Sequence, residues 1–189
     1  MRKCLSFAAA CLLLAVAIQP TAAVKPDDHG GKIVSNYDGF SHETVVTLKK
    51  MKVSCAGPRV DAKGSCVSIL ASLHCPGIQL DYVRQVTLQV VFETEDWDQR
   101  HPLDQRNLSV VADGETFRLG RMQLVSQSVD TLMTETLETS MPYKTFQKMV
   151  LAEVVAVEVG KSKFELKDKN LTALRDLNNR VKFAKRKGI

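Results

Sequence analysis

The sequence predicts a mainly β fold: an antiparallel β-sandwich or open barrel of about eight strands, with one short helix and a C-terminal amphipathic helix packed on the sheet. Three observations carry that prediction. Runs rich in β-branched residues alternate in polarity and follow one another without the long helical spacers of βαβ units. Two hairpin turns are marked, Asp113-Gly114 and Gly160-Lys161-Ser162. A helical period takes over only near the end, where Leu171, Leu174, Leu177 and Val181 fall on one face.

Residues 1–23 read as a cleaved signal peptide. Arg2 and Lys3 precede an apolar run from Leu5 to Ile18, and Thr21 and Ala23 offer small residues for cleavage after Ala23. The run is shorter than the roughly 18 to 20 apolar residues that cross a bilayer, so no stable membrane span is expected after cleavage. The mature chain is therefore expected to be extracytoplasmic, either periplasmic or secreted. Residues 24–41 are polar and rich in breakers around Pro26-Asp27-Asp28-His29-Gly30-Gly31, the composition of a flexible N-terminal arm. Residues 42–189 then form a single β-rich domain with a C-terminal helix and a basic tail.

Within that domain, strands are expected from about Glu43 to Cys55, Cys66 to Leu73, Val83 to Thr94 and Asn107 to Ala112. The hairpin at Asp113-Gly114 returns through Thr116, and its second strand is read as continuing to Val129. Leu132 to Met141 satisfies a helical stripe, yet its threonines favour a strand, and strand is the reading taken. Pro142 opens a short helix to about Leu151, carrying Tyr143, Phe146, Met149 and Val150 at helical spacing. Glu153 to Val159 and Lys163 to Leu166 make a further hairpin, and Asp168 caps the final helix.

The formal charge is +5 over 189 residues, and loss of Arg2 and Lys3 with the signal lowers it by two to +3. That modest excess gives no reason to expect nucleic acid. It concentrates in Arg180, Lys182, Lys185, Arg186 and Lys187, a solvated frayed end or, alternatively, a contact for anionic lipid. Three cysteines survive maturation. Cys55 and Cys66 flank a turn-rich connection and are expected to pair as a disulfide across a hairpin. Cys66 and Cys75 lie on one strand, about 30 Å apart and far beyond disulfide reach, which leaves Cys75 free. No Cys-x-x-Cys spacing or paired histidine motif suggests a metal, and no cofactor is expected.

No Gly-x-Ser-x-Gly elbow is present, and His74 and Cys75, as strand neighbours, point to opposite faces. The acidic residues Glu93, Glu95, Asp96, Asp98 and Asp104 surround Trp97 and His101 but lack an EF-hand frame. Trp97, the single tryptophan, with Arg100 and Arg106 nearby, supplies the contact candidates of a binding surface. The expected function is thus a non-catalytic secreted or periplasmic module that binds a protein or cell-envelope component. The alternatives are a secreted enzyme using the loop 93–104 through Glu95, Asp96, Asp98 and His101, or membrane-surface binding by the basic tail. Asn107-Leu108-Ser109 and Asn170-Leu171-Thr172 match the glycosylation sequon.

Two stretches carry a resemblance: Leu108-Ser109-Val110-Val111-Ala112-Asp113-Gly114-Glu115, and Phe164-Glu165-Leu166 followed by Leu171-Thr172-Ala173-Leu174-Arg175-Asp176-Leu177. Together they resemble a family of extracytoplasmic, signal-bearing bacterial proteins without an assigned activity. Its members join an Ala-Asp-Gly hairpin to a final Phe-Glu-Leu strand and a Leu-x-x-Leu-Arg-Asp helix. The resemblance covers roughly the second half of the chain. It implies a bacterial envelope context and transfers no site residue.

Overall fold

A computed structural model describes residues 31–55, 66–94, 101–129 and 133–187. In chain order its strands are β1 (Ile33–Asp38), β2 (Glu43–Ser54), β3 (Cys66–Pro76), β4 (Gln85–Thr94), β5 (Asn107–Ala112), β6 (Glu115–Arg121), β7 (Gln123–Val129) and β8 (Met133–Met141). Helix α1 (Tyr143–Leu151) follows, then β9 (Val155–Val159), β10 (Ser162–Leu166) and helix α2 (Asp168–Lys187). All pairings are antiparallel. One sheet has six strands in the order β1-β2-β3-β4-β8-β7, and the other has four in the order β10-β9-β5-β6. The fold is the predicted mainly antiparallel sandwich. The segment read as a signal peptide lies outside the described residues.

Alternation places the core. Val67, Ile69, Ala71, Leu73 and Cys75 of β3 and Val86, Leu88, Val90 and Phe92 of β4 point inward. They meet Leu108, Val110, Val155, Val157, Val159, Phe164 and Leu166 from the four-stranded sheet in one apolar cluster. Helix α2 adds Leu171, Leu174, Leu177 and Val181, and packs against β2, α1 and β10, so it closes the side where β2 and β10 come together. Arg175 of α2 donates from Nε to Val150 O at 2.8 Å and from Nη2 to Ala152 O at 2.7 Å. Those bonds satisfy carbonyls that the end of α1 would otherwise leave unpaired.

The turn chemistry is as expected at Asp113-Gly114, where both residues have positive φ, 47° and 84°, the type I′ geometry that suits a two-residue hairpin. Cys55 and Cys66 are joined as a disulfide, and Cys75 is a free, buried thiol. Asn170 is fully buried, its Oδ1 accepting from the Lys167 amide and its Nδ2 donating to Lys52 O. That sequon therefore serves the helix start and is closed to glycosylation in the folded chain.

Three details differ from the sequence reading. Residues 33–38, assigned to the flexible arm, form β1, because hydrogen bonding to the long β2 orders a segment that has no apolar period of its own. The strand read as running from Thr116 to Val129 is two strands in different sheets. Gly120, at φ 82°, and the buried Met122, whose amide donates to Arg106 O, carry the chain from one layer to the other. Last, the backbone of α2 stays helical through Lys187, beyond the point where a frayed tail was expected.

Gly160 tests the hairpin chemistry. Its φ is 56°, and an added Cβ would lie 2.1 Å from Gln105 O, whereas Gly114, also at positive φ, has open space around it. Gly160→Ala should cost about 2 to 3 kcal/mol and lower the Tm by roughly 4 to 12 °C, and Gly114→Ala should cost about 1 kcal/mol. Thermal unfolding of the two variants checks the difference.

Candidate functional site

Two hydroxyl–imidazole–carboxylate groups brace the structure, one between the sheets and one within the six-stranded sheet. In the first, Glu135 projects inward from β8 and is only 1% exposed. Its Oε2 accepts from His101 Nδ1 at 2.7 Å and from the His101 amide at 3.2 Å, while Oε1 faces Arg106 Nη2 at 3.6 Å. Nδ1 carries the proton that it donates to the carboxylate, and Nε2 lies 3.0 Å from the Ser162 hydroxyl. Arg106 also donates from Nε to His101 O at 2.8 Å, and the His101 ring packs against Phe92 with centroids 4.2 Å apart.

Hydroxyl, imidazole and carboxylate in that order are the components of a nucleophilic hydrolase site. Orientation argues against that use, since Ser162, partly exposed, alternates with the buried Phe164 and Leu166 on the inward side of β10. The nearby Gly160 amide, a possible oxyanion donor, already donates to Asn107 O at 3.0 Å. The chain also recurs on the outer face of the six-stranded sheet: Thr87 Oγ1 lies 2.9 Å from His74 Nε2, His74 Nδ1 lies 3.0 Å from Glu43 Oε2, and Arg84 pairs with Glu43 Oε1. A motif used twice, once inward and once across β2, β3 and β4, is a device for fixing carboxylates between strands. In the first case it ties β8 of one sheet to β10 of the other.

The sequence-predicted residues fare unevenly. Trp97 and Arg100, with Glu95, Asp96 and Asp98, lie outside the described residues. Arg106 donates to His101 O and faces Glu135 across the layer interface. Glu93 pairs with Lys50 on the sheet, and Asp104 sits in a single 3-10 turn, Leu103–Gln105. Among the described residues no group of three or more His, Cys, Asp or Glu is placed to hold a metal ion. Cys75 is inert. Desolvation first, then the negative charges of Glu43 and Asp81, push its thiol up to about 11.

The exposed chemistry lies instead at one end of the six-stranded sheet. The β1–β2 turn and the β3–β4 connection meet there through Gly77 N to His42 O at 2.8 Å and Thr44 Oγ1 to Gly77 O at 2.6 Å. Asp38 shapes the turn by accepting from the Phe40 amide at 2.9 Å and the Ser41 hydroxyl at 2.8 Å, bonds that hold its carboxyl below the usual carboxylate range. The pinned turn presents Phe40 98% exposed, with Ile78 74% exposed on the neighbouring connection and Tyr37 and Tyr82 also exposed. Phe40 stands in the polar run Asp38-Gly39-Phe40-Ser41, and an aromatic inside a turn was the one signal in the sequence that could have revealed this surface.

No family model, curated protein or solved structure matches this chain. The structure has no helix, among the described residues, long and apolar enough to cross a membrane.

Two outcomes follow from the buried groups. His101→Ala should destabilise the fold by about 3 kcal/mol, because Glu135 would keep its burial and lose its principal partner. A denaturant titration measures that loss, and an unchanged midpoint would deny the clamp its role. Cys75 should resist iodoacetamide at pH 8 in the native state, where roughly one thiol in a thousand is ionised, and react fully in denaturant.

Proposed function

We propose that the protein is a non-catalytic extracytoplasmic module that binds a protein or cell-envelope component through the end of its six-stranded sheet. The observation that carries this reading is Phe40, held out to solvent at 98% exposure by a turn whose polar groups are internally bonded. A free aromatic side chain on a fixed backbone loses little conformational freedom when it docks, which is the property of an interface anchor. Ile78 and Tyr82 on the neighbouring connection and Tyr37 at the end of β1 are exposed as well, and tyrosine hydroxyls suit a contact that is dry at its centre and wet at its rim. The disulfide and the signal-like N-terminus support an oxidising compartment.

The experiment is capture of a partner from the host envelope with the mature protein, with Phe40→Ser and Trp97→Ala run in parallel. β4 ends at Thr94, opposite the end of the sheet that carries the Phe40 turn, and Trp97→Ala tests the contact expected from the sequence. Phe40→Ser should weaken binding by about thirty-fold, the loss of one central anchor, with Trp97→Ala near wild type. Retention of full binding by Phe40→Ser would remove this surface from consideration.

A further inference from the structure

We infer that the cleft where the last residues of β2 and the first of β3 face β10 binds an apolar amino acid. Its carboxylate is held at Lys167, its ammonium at Glu165, and its side chain lies on the core. The inference does not rest on the partner surface proposed above. The cleft is at the Val67 end of β3 and the Phe40 turn at the Pro76 end, roughly 30 Å away along the strand.

The floor of the cleft is core. It has a volume of about 320 Å³, at the lower end of the range of small-molecule sites. Val53 and Val67 line it from the six-stranded sheet and Phe164 from the four-stranded one. All three belong to the apolar cluster that fills the sandwich, so the cleft opens between the layers. Its walls are fixed without a ligand. Ser54 and Val67 are register partners just inside the Cys55–Cys66 bridge. Asn170 Nδ2 donates to Lys52 O at 3.1 Å, which ties the start of α2 to β2 one residue before Val53. A preformed cleft spares a small ligand the cost of ordering its site.

The rim selects the occupant. It carries three charges, Lys163, Glu165 and Lys167. Lys163 is neutralised by Glu158, its register partner on β9, at 2.9 Å. Glu165 and Lys167 are exposed, and neither side chain has an ion pair or hydrogen bond among the described residues. One negative and one positive charge thus stand unmatched at the mouth of an apolar cleft. A hydrocarbon would leave both unmatched, and a fatty acid would bring its carboxylate towards Glu165. An apolar α-amino acid supplies one charge of each sign and a compact apolar body, whereas a longer peptide sets its two terminal charges far apart.

Titration of isotope-labelled mature protein with L-leucine, followed by amide correlation spectra, should shift Ser54, Val67, Glu165 and Lys167 with a Kd on the order of 0.1 mM. N-acetyl-leucine and leucinamide, each lacking one charge, should bind about ten-fold more weakly. Lys167→Met should erase the preference for leucine over leucinamide, and Glu165→Gln the preference over N-acetyl-leucine, with the spectra of the free proteins otherwise unchanged. Phe40→Ser should bind leucine as the wild type does. Absence of shifts around the cleft at about 10 mM leucine overturns the inference. Equal binding of the three compounds overturns it too, as do preferences that survive both substitutions.

Discussion

A six-stranded sheet stacked on a four-stranded one cannot have its whole inner face covered by its partner, and much of this architecture answers that mismatch. On one side, α2 fills the step between β2 and β10 with Leu171, Leu174, Leu177 and Val181. On the other, the chain itself crosses from β6 to β7 at Met122 and closes the sandwich with a connection rather than a helix. What neither device covers is left at the margins. The Phe40 turn follows β1, the edge strand of the six-stranded sheet.

Polar groups reinforce the apolar core where the layers are joined by loops rather than by regular pairing. Glu135, His101 and Ser162 link β8 to β10, and Arg106 holds the same connection through the His101 carbonyl. A carboxylate at that depth is tolerated because each oxygen faces a donor, and its value lies in geometry: few arrangements of the two sheets satisfy all the partners at once. The Thr87, His74 and Glu43 chain does the same across three neighbouring strands. Rigidity gained this way matters for recognition. Glu43 opens β2 directly after the turn that presents Phe40, so the loop rests on a strand end anchored by His74 and Arg84.

Much of the fold was legible because its causes are local. Alternating runs marked β2 to β5, Asp113-Gly114 specified a type I′ hairpin, and Pro142 with Phe146, Met149 and Val150 marked α1. The Cys55 to Cys66 bridge was legible for the same reason, since both cysteines bound one turn. The division of the segment from Glu115 to Val129 was not. Both halves have strand composition, and only the burial of Met122 against the other layer shows that they part company there. The Phe40 turn and the buried clamp at Glu135 were the least legible parts. His101 and Arg106 stood out as polar residues near a tryptophan, but their partner Glu135 lies in a threonine-rich strand far along the chain, and nothing local connects them.

The sequence by itself determined where strands begin and turn, which cysteines pair, and that a leucine-faced helix ends the domain, because each follows from short-range periodicity, backbone conformation or loop length. Tertiary structure alone decided which edges are left open, which polar residues are consumed inside, and which aromatic side chain is left outside. Those outcomes depend on how many strands each layer holds and how the layers meet, quantities set by contacts between residues far apart in sequence.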